Sequence, residues 1–432
     1  MYTSIVGKKL IEIYNIREKT EVIPKDFFDN IYFPLFYDHA KYLHWAINSP
    51  FVQEYKSTSP FNREQRAKKL TQLHDKITTK KPDASFALGF GAADDTATTS
   101  GQITSLKLPI SNDDIYSSWI GAGLGIGISG GLVILINKEE ILEIIFEGWS
   151  KYREILNETK TLKGNQIETW NGQWLTFALN NKDYKRQHFA PIETKKEGAI
   201  IPTQSWIKVL FALARKFPNE RLNTYVYSLG QTNTTIGFIQ INLPEIKREI
   251  EMYDYLFGEI KDVGKKAIDE VYNVQYIFKT VCQNGVIGLK EIQPKDLKEY
   301  FPQRNKETVS PKFKNDEKYL INYNIYLSWV ITMLNNKTTI QIAEETAKIL
   351  QSYAAQTDRA KKTQTNKINA LLESFSRKVF IENLTEILKD DASNSEFFNL
   401  LVEEINKMQA DKYPYFLTLI KFKYAYLNNK KS

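Results

Sequence analysis

The sequence predicts an α+β protein, with a mixed α/β N-terminal and middle region followed by a C-terminal antiparallel helical bundle. Three observations carry this expectation. Short apolar or alternating runs of strand length recur between residues 86 and 289, bounded by Gly, Asn, Thr or Pro. Helix-period segments are interspersed among them. Glycine then disappears: residues 317–428 contain none, and a single proline, Pro414. A chain of 432 residues has material for roughly two or three domains.

In chain order, "YDHAKYLHWAINSPF" (37–51) and "NREQRAKKLTQLHDKI" (62–77) read as helices. Residues 86–90 and 103–108 read as short strands around a polar loop, "GAADDTATTSGQ". A helix is expected to start near Asp113. Residues 119–136, "WIGAGLGIGISGGLVILI", run 18 residues without a charge, which reaches the length of a membrane span. Six of them are glycine, four at every second position from Gly121 to Gly127. That spacing favours a tight hairpin over a lipid-facing helix. Asn137 with Glu140 makes a cap-like start for a helix whose Ile141, Ile144, Ile145 and Trp149 share a face. "NTYVYSL" and "TIGFIQINLP" flank the polar turn "GQTNT" as a hairpin, and "VQYIFKTVCQNGVIGL" turns at Asn284-Gly285. Pro294, Pro302 and Pro311 punctuate a basic polar stretch that reads as a linker. Five helical segments follow: "YLINYNIYLSWVITMLN", "TTIQIAEETAKILQSYAAQT", "KINALLESFSRKVFIENLTEILKD" (367–390), "EFFNLLVEEINKM" and "YFLTLIKFKYAYLN". The expected organisation is 1–112, an α/β part with the polar loop; 113–293, a central α/β part with glycine-rich strands and hairpin; 294–316, linker; and 317–432, helical bundle.

Composition narrows the function classes. The formal net charge of +7 permits a polyanionic partner without requiring one. The lone Cys282 excludes an internal disulfide and any paired-cysteine zinc site, and reads as a small buried hydrophobe. The first residues lack a signal-peptide pattern, so a reducing, cytoplasmic setting with no membrane contact is expected. No Walker sequence, G-x-S-x-G or H-E-x-x-H is present. Gly125, Gly127 and Gly130 match G-x-G-x-x-G, but strand-like "GLVILI" follows where a dinucleotide site needs a helix. No cofactor is expected.

Two readings of the remaining polar groups compete. Asp94-Asp95, or His74-Asp75 with His39 or His44 upstream, could hold divalent metal in a nuclease or phosphohydrolase. Yet "TATTSGQ" separates the aspartates from the next strand, where a metal-binding hairpin needs a tight turn. Nucleic-acid contact is better signalled. Asn and Gln amides read base edges, and hydroxyls contact phosphates. Such groups concentrate at residues 96–102 and 231–235. Lys182, Lys185 and Arg186 interleave with Tyr184 and Phe189, and Lys361, Lys362, Lys367, Arg377 and Lys378 form a second basic group.

With "GFGAADDTATTSGQ", "WIGAGLGIGISGGLVILI", "SLGQTNTTIGFIQI" and the ending "YFLTLIKFKYAYLN", the chain resembles the large subunit of a type I CRISPR surveillance complex (Cascade), of the I-B or I-D kind. The resemblance rests on architecture and on no invariant motif. It implies a non-catalytic subunit whose N-terminal part recognises the protospacer-adjacent motif in double-stranded target DNA and wedges the strands apart. The C-terminal bundle then supports the displaced strand. Its implied partners are the target duplex, guide RNA held through the complex, the other Cascade subunits, and a separate nuclease or transposition module. Under this resemblance Ser100, Gln102, Gln231 and Asn233 become motif readers or wedges. Lys361, Lys362, Lys367, Arg377 and Lys378 become backbone contacts, and Asp94-Asp95 become anchors of the loop base or the remnant of an inactive polymerase-like palm.

Overall fold

The computed structural model describes residues 1–44, 46, 49–51, 61–83, 85–89, 109–228, 231–257, 278–294, 317–334, 338–355 and 361–429. The chain is α+β with a helical C-terminal region, and it divides into two compact units. The first comprises Met1–Pro244 with Tyr276–Gly288, and the second Glu245–Gln275 with Leu289–Ser432.

The first unit opens with α1 (Tyr2–Glu18), the short helices α2 (Pro24–Phe27) and α3 (Phe33–Phe36) joined by a π-helical turn (Phe28–Tyr32), α4 (Arg63–Thr79) and α5 (Asn112–Gly123). The side chain of Asn62 accepts the Glu64 and Gln65 amides to start α4, and Ser111 with Asp114 forms a reciprocal capping box on α5. Helices α1 and α5 cross with their backbones nearly touching. A Cβ on Gly7 would lie 1.9 Å from the Ser117 carbonyl oxygen, and one on Gly121 1.8 Å from that of Thr3. The glycines read from the sequence as strand-like are therefore divided: Gly121 and Gly123 end a helix, and the rest begin a sheet.

That sheet contains β1 (Ile126–Ile128), β2 (Leu132–Ile136), β5 (Arg221–Ser228), β6 (Gln231–Asn242) and β7 (Val286–Ile287) in the order β1-β2-β5-β6-β7. All neighbours are antiparallel except β6 and β7. The β1–β2 turn places Gly130 and Gly131 at φ 98° and 74°, values that strain any side chain. A strand after Gly130 leaves no helix N-terminus for a pyrophosphate, so the G-x-G-x-x-G match is a hairpin turn, as the sequence indicated. Between the strands come α6 (Glu139–Glu158), α7 (Ile167–Asn180), the small ribbon β3 (Glu193–Lys195) and β4 (Gly198–Ile200), and α8 (Trp206–Lys216). On α6, Ile141, Ile145 and Trp149 are buried on one stripe, whereas Ile144 is only half-buried. Four buried tryptophans each donate an indole N–H to a backbone carbonyl: Trp119 to Phe86, Trp149 to Gly123, Trp170 to Gly148 and Trp174 to Ile144. These bonds satisfy the one polar group each ring brings into the core.

Several sequence expectations are overturned here. Residues 37–44 are not helical. Their backbone bonds elsewhere: Leu43 donates to Phe36, Asn165 to the Tyr42 carbonyl and Ile167 to the Leu43 carbonyl. Residues 86–89 are a turn rather than a strand, with Phe86 and Ala87 donating to Asp83, and Leu88 to the Ser118 hydroxyl. The expected strand at 103–108 and linker at 295–316 lie outside the described residues. Among those described, no helix is long and apolar enough to cross a membrane.

The second unit takes up α9 (Leu243–Phe257) from Glu245 onward. A short α10 (Phe278–Cys282) belongs to the first unit. The C-terminal helices are α11 (Glu317–Leu334), α12 (Thr338–Ala355), α13 (Lys361–Leu372), α14 (Arg377–Asp390), α15 (Ser395–Lys407) and α16 (Tyr413–Asn429). The segment read as one helix across residues 367–390 is two. Ser376 caps α14 by accepting the Val379 amide, and Tyr413 donates to the Ser374 carbonyl in the gap. Helix α16 packs against α11 and α12, and Trp329 donates to the Leu289 carbonyl.

Candidate nucleic-acid interface

The first two turns of α1 contact the residues on either side of 90–108 and also the β5–β6 hairpin. Thr3 donates its hydroxyl to the Leu88 carbonyl at 2.6 Å, two residues before the undescribed segment 90–108. Phe86, Ala87 and Leu88 are buried there. The chain returns at Ser111, whose partner Asp114 accepts from Lys8 at 2.7 Å and from Ser4 at 3.1 Å. Residues on both sides of the segment are thus tied to α1. Burial alone would raise the Asp114 pKa, but the bonds from Lys8, Ser111 and Ser4 outweigh it and hold the carboxyl well below the usual carboxylate range. A folded-state pKa depressed in this way contributes stability at neutral pH that is lost as the pH falls. Asp114→Asn is accordingly expected to cost about 1 kcal/mol at pH 7. In urea melts, its gap from wild type should narrow as pH is taken below about 4.

Tyr2, one residue earlier, faces the β5–β6 hairpin. Its ring lies 4.9 Å from Phe238, edge-on, and 5.2 Å from Tyr225, while Tyr225 and Phe238 sit 5.1 Å apart as cross-strand partners. Phe238 remains 60% exposed. The next outward pair is Asn223 and Gln240, their amides 3.4 Å apart, and Arg221 is exposed beyond it. Leu222, Thr224 and Val226, with Ile239 and Ile241, fill the buried face. Period-two alternation in "RLNTYVYS" and "GFIQIN" carries this division, and it was the available signal for Tyr225, Phe238, Asn223 and Gln240, which sequence reasoning did not select.

The selected residues have mixed fates. Gln231 and Asn233 open strand β6 at the hairpin end. Ser100, Gln102, Asp94 and Asp95 lie outside the described residues. Lys182, Lys185 and Arg186 are exposed around the 3-10 turn Tyr184–Arg186. Lys185 is bound to Glu147 at 2.5 Å, and the same carboxylate accepts from Tyr184 at 2.7 Å. Phe189 stacks on Phe177 at 4.1 Å, so it packs the patch down rather than offering a free ring. In the second unit Lys361 begins α13, and Lys362 is exposed. Lys378 is 84% exposed, 3.7 Å from Glu382. Lys367 instead binds Asp390 at 2.7 Å and the Glu386 carbonyl, and Arg377 donates to the Met408 carbonyl. Those last two tie helices together.

The three histidines read for metal chemistry form separate contacts. His74 bridges Asp29 at 3.1 Å and the Tyr116 hydroxyl at 2.7 Å, and burial holds its imidazole below the ordinary value against the pull of Asp29. His44 pairs with buried Glu168 at 3.2 Å, and His39 contacts the Lys41 backbone. Among the described residues no group of three or more His, Cys, Asp or Glu side chains could hold a metal ion. Cys282 is buried, which pushes its thiol up to about 12. No family model, curated protein or solved structure matches this chain.

Proposed function

We propose that this chain is a non-catalytic, DNA-contacting subunit of an RNA-guided surveillance complex. In this role its first unit engages the protospacer-adjacent motif in duplex DNA, and exposed cations on its helical C-terminal region contact the displaced strand. The observation that carries the reading is the shared footing on α1: Thr3, Ser4 and Lys8 hold Leu88 and Asp114 on either side of the loop segment, and Tyr2 packs against the hairpin whose strand β6 opens with Gln231 and Asn233. A duplex reader needs two polar segments held at fixed separation, because base-edge recognition depends on register set by the scaffold.

Isolation of the tagged protein from its own cell tests the reading. Stoichiometric companion proteins and a uniform class of short RNA are expected. A lone chain carrying divalent metal would count against it and favour the metal-dependent alternative. The cations provide a second check. Lys362→Ala and Lys378→Ala should each lower the slope of log affinity against log salt by about 1 for a DNA duplex with an unpaired strand. Lys367→Ala should instead act mainly on thermal stability, because its ammonium already binds Asp390.

A further inference from the structure

We propose that the outer face of the β5–β6 hairpin is a stacking platform for an unpaired nucleobase, with Phe238 as the ring on which the base lies. This rests on the functional reading above and names the ligand of one surface within it: a single-stranded nucleotide at the point where a duplex opens.

The argument starts from exposure. Phe238 is among the most exposed large apolar side chains of the first unit, on a strand whose other face is fully buried. The ring does not stand alone on the surface but belongs to an aromatic cluster with Tyr2 and Tyr225, and it is the exposed member of that cluster. Tyr2 and Tyr225 hold it from two sides, edge-on and tilted, so the ring is fixed while much of it stays open to solvent. Tyr225 is itself held by a 2.6 Å hydrogen bond between its hydroxyl and Thr235. A pre-positioned aromatic face loses little freedom when a base stacks on it, and such stacking tolerates any base.

The surroundings select the occupant. Beside the rings lies the Asn223–Gln240 amide pair, which offers donors and acceptors at the height of a base edge. Arg221 follows on the same face of β5, a cation placed for a phosphate. The outward positions Arg221, Asn223, Tyr225, Phe238 and Gln240 include no carboxylate. With a base on the rings, the amides can meet its polar edge or the sugar hydroxyls, and Arg221 can meet a phosphate. Strand β6 also opens with Gln231 and Asn233 at the turn end of the hairpin, so a base leaving a duplex engaged there would be close to this face.

The test uses the full chain and a fluorescein-labelled DNA single strand about twelve nucleotides long, a matching strand carrying 2-aminopurine, and a blunt duplex. Phe238→Ala should weaken single-strand binding about tenfold or more and abolish the 2-aminopurine quenching that stacking causes. It should leave duplex affinity within about twofold, and Phe238→Trp should retain both single-strand signals. Because Phe238 is mostly exposed, the alanine variant should fold normally, which a thermal melt verifies. If wild type and Phe238→Ala bind the single strand equally with equal quenching, the platform is overturned and the broader reading survives. The same holds if wild type binds only the duplex. If wild type binds neither DNA at low salt, both fail. If Phe238→Ala changes only the oligomeric state on size exclusion, the face belongs to a protein contact and the proposal is wrong.

Discussion

Replacing Gly121 with leucine is expected to prevent α1 and α5 from docking, and Gly121→Ala to lower stability by about 3 kcal/mol or more. The reason is geometric. The atom next to the missing Cβ is the Thr3 carbonyl oxygen, 1.8 Å from where that carbon would sit, and the reciprocal approach at Gly7 meets the Ser117 carbonyl at 1.9 Å. Backbone cannot rotate aside as a side chain can, so the helices must separate. Separation would also pull Thr3 from Leu88 and Tyr2 from the hairpin. The variant should therefore lose duplex binding together with stability, whereas Phe238→Ala should lose single-strand binding alone. Thermal melts followed by near-UV circular dichroism would check this. A Gly121→Ala protein melting within about 2 °C of wild type would falsify the account of the crossing.

The second large effect is expected at Glu168. This carboxylate is 8% exposed, His44 is 2% exposed, and the Nε2–Oε1 distance is 3.2 Å. Burial, and then the charge of Glu168, push the Tyr227 phenol well above its ordinary value. Glu168→Ala removes the partner and leaves the imidazole buried without it, at a cost of about 2–4 kcal/mol. His44→Ala alone should cost a comparable amount by stranding the carboxylate. The double variant should cost less than the sum of the two, since neither group is then left behind. Additive losses in a urea-denaturation cycle, read by tryptophan fluorescence, would show that the two side chains act independently.

Legibility in the sequence followed the range of the forces involved. Helix α4 and the α5 start near Asp113 were readable because their signals are local: an Asn62 cap, and Ser111 three residues before Asp114. The β1–β2 and β5–β6 hairpins were readable from glycine placement and alternation. Residues 37–44 were misread because "YDHAKYLHWAINSPF" has helical composition, yet its peptide groups serve residues 165–167 more than a hundred positions away. The break between α13 and α14 was also missed, since Ser376 is an ordinary polar residue until its side chain caps the next helix.

The candidate site divides along the same line. Composition marked Lys362 and Lys378 as exposed cations, but it marked Lys367 and Arg377 equally, and only their neighbours Asp390 and Met408 reveal them as struts. Of the residues read as metal ligands, His74, His44 and His39 engage Asp29, Glu168 and the Lys41 backbone separately, while Asp94 and Asp95 lie outside the described residues.

By itself, then, the sequence determined the α+β class, the hairpins and the glycine-free helical end, because periodicity, caps and turn residues act over a few positions along the chain. Tertiary structure alone decided that Tyr2 meets Phe238, that Thr3 holds Leu88 and that His44 finds Glu168. Contacts between residues this far apart depend on which surfaces pack together, and no local pattern encodes that choice.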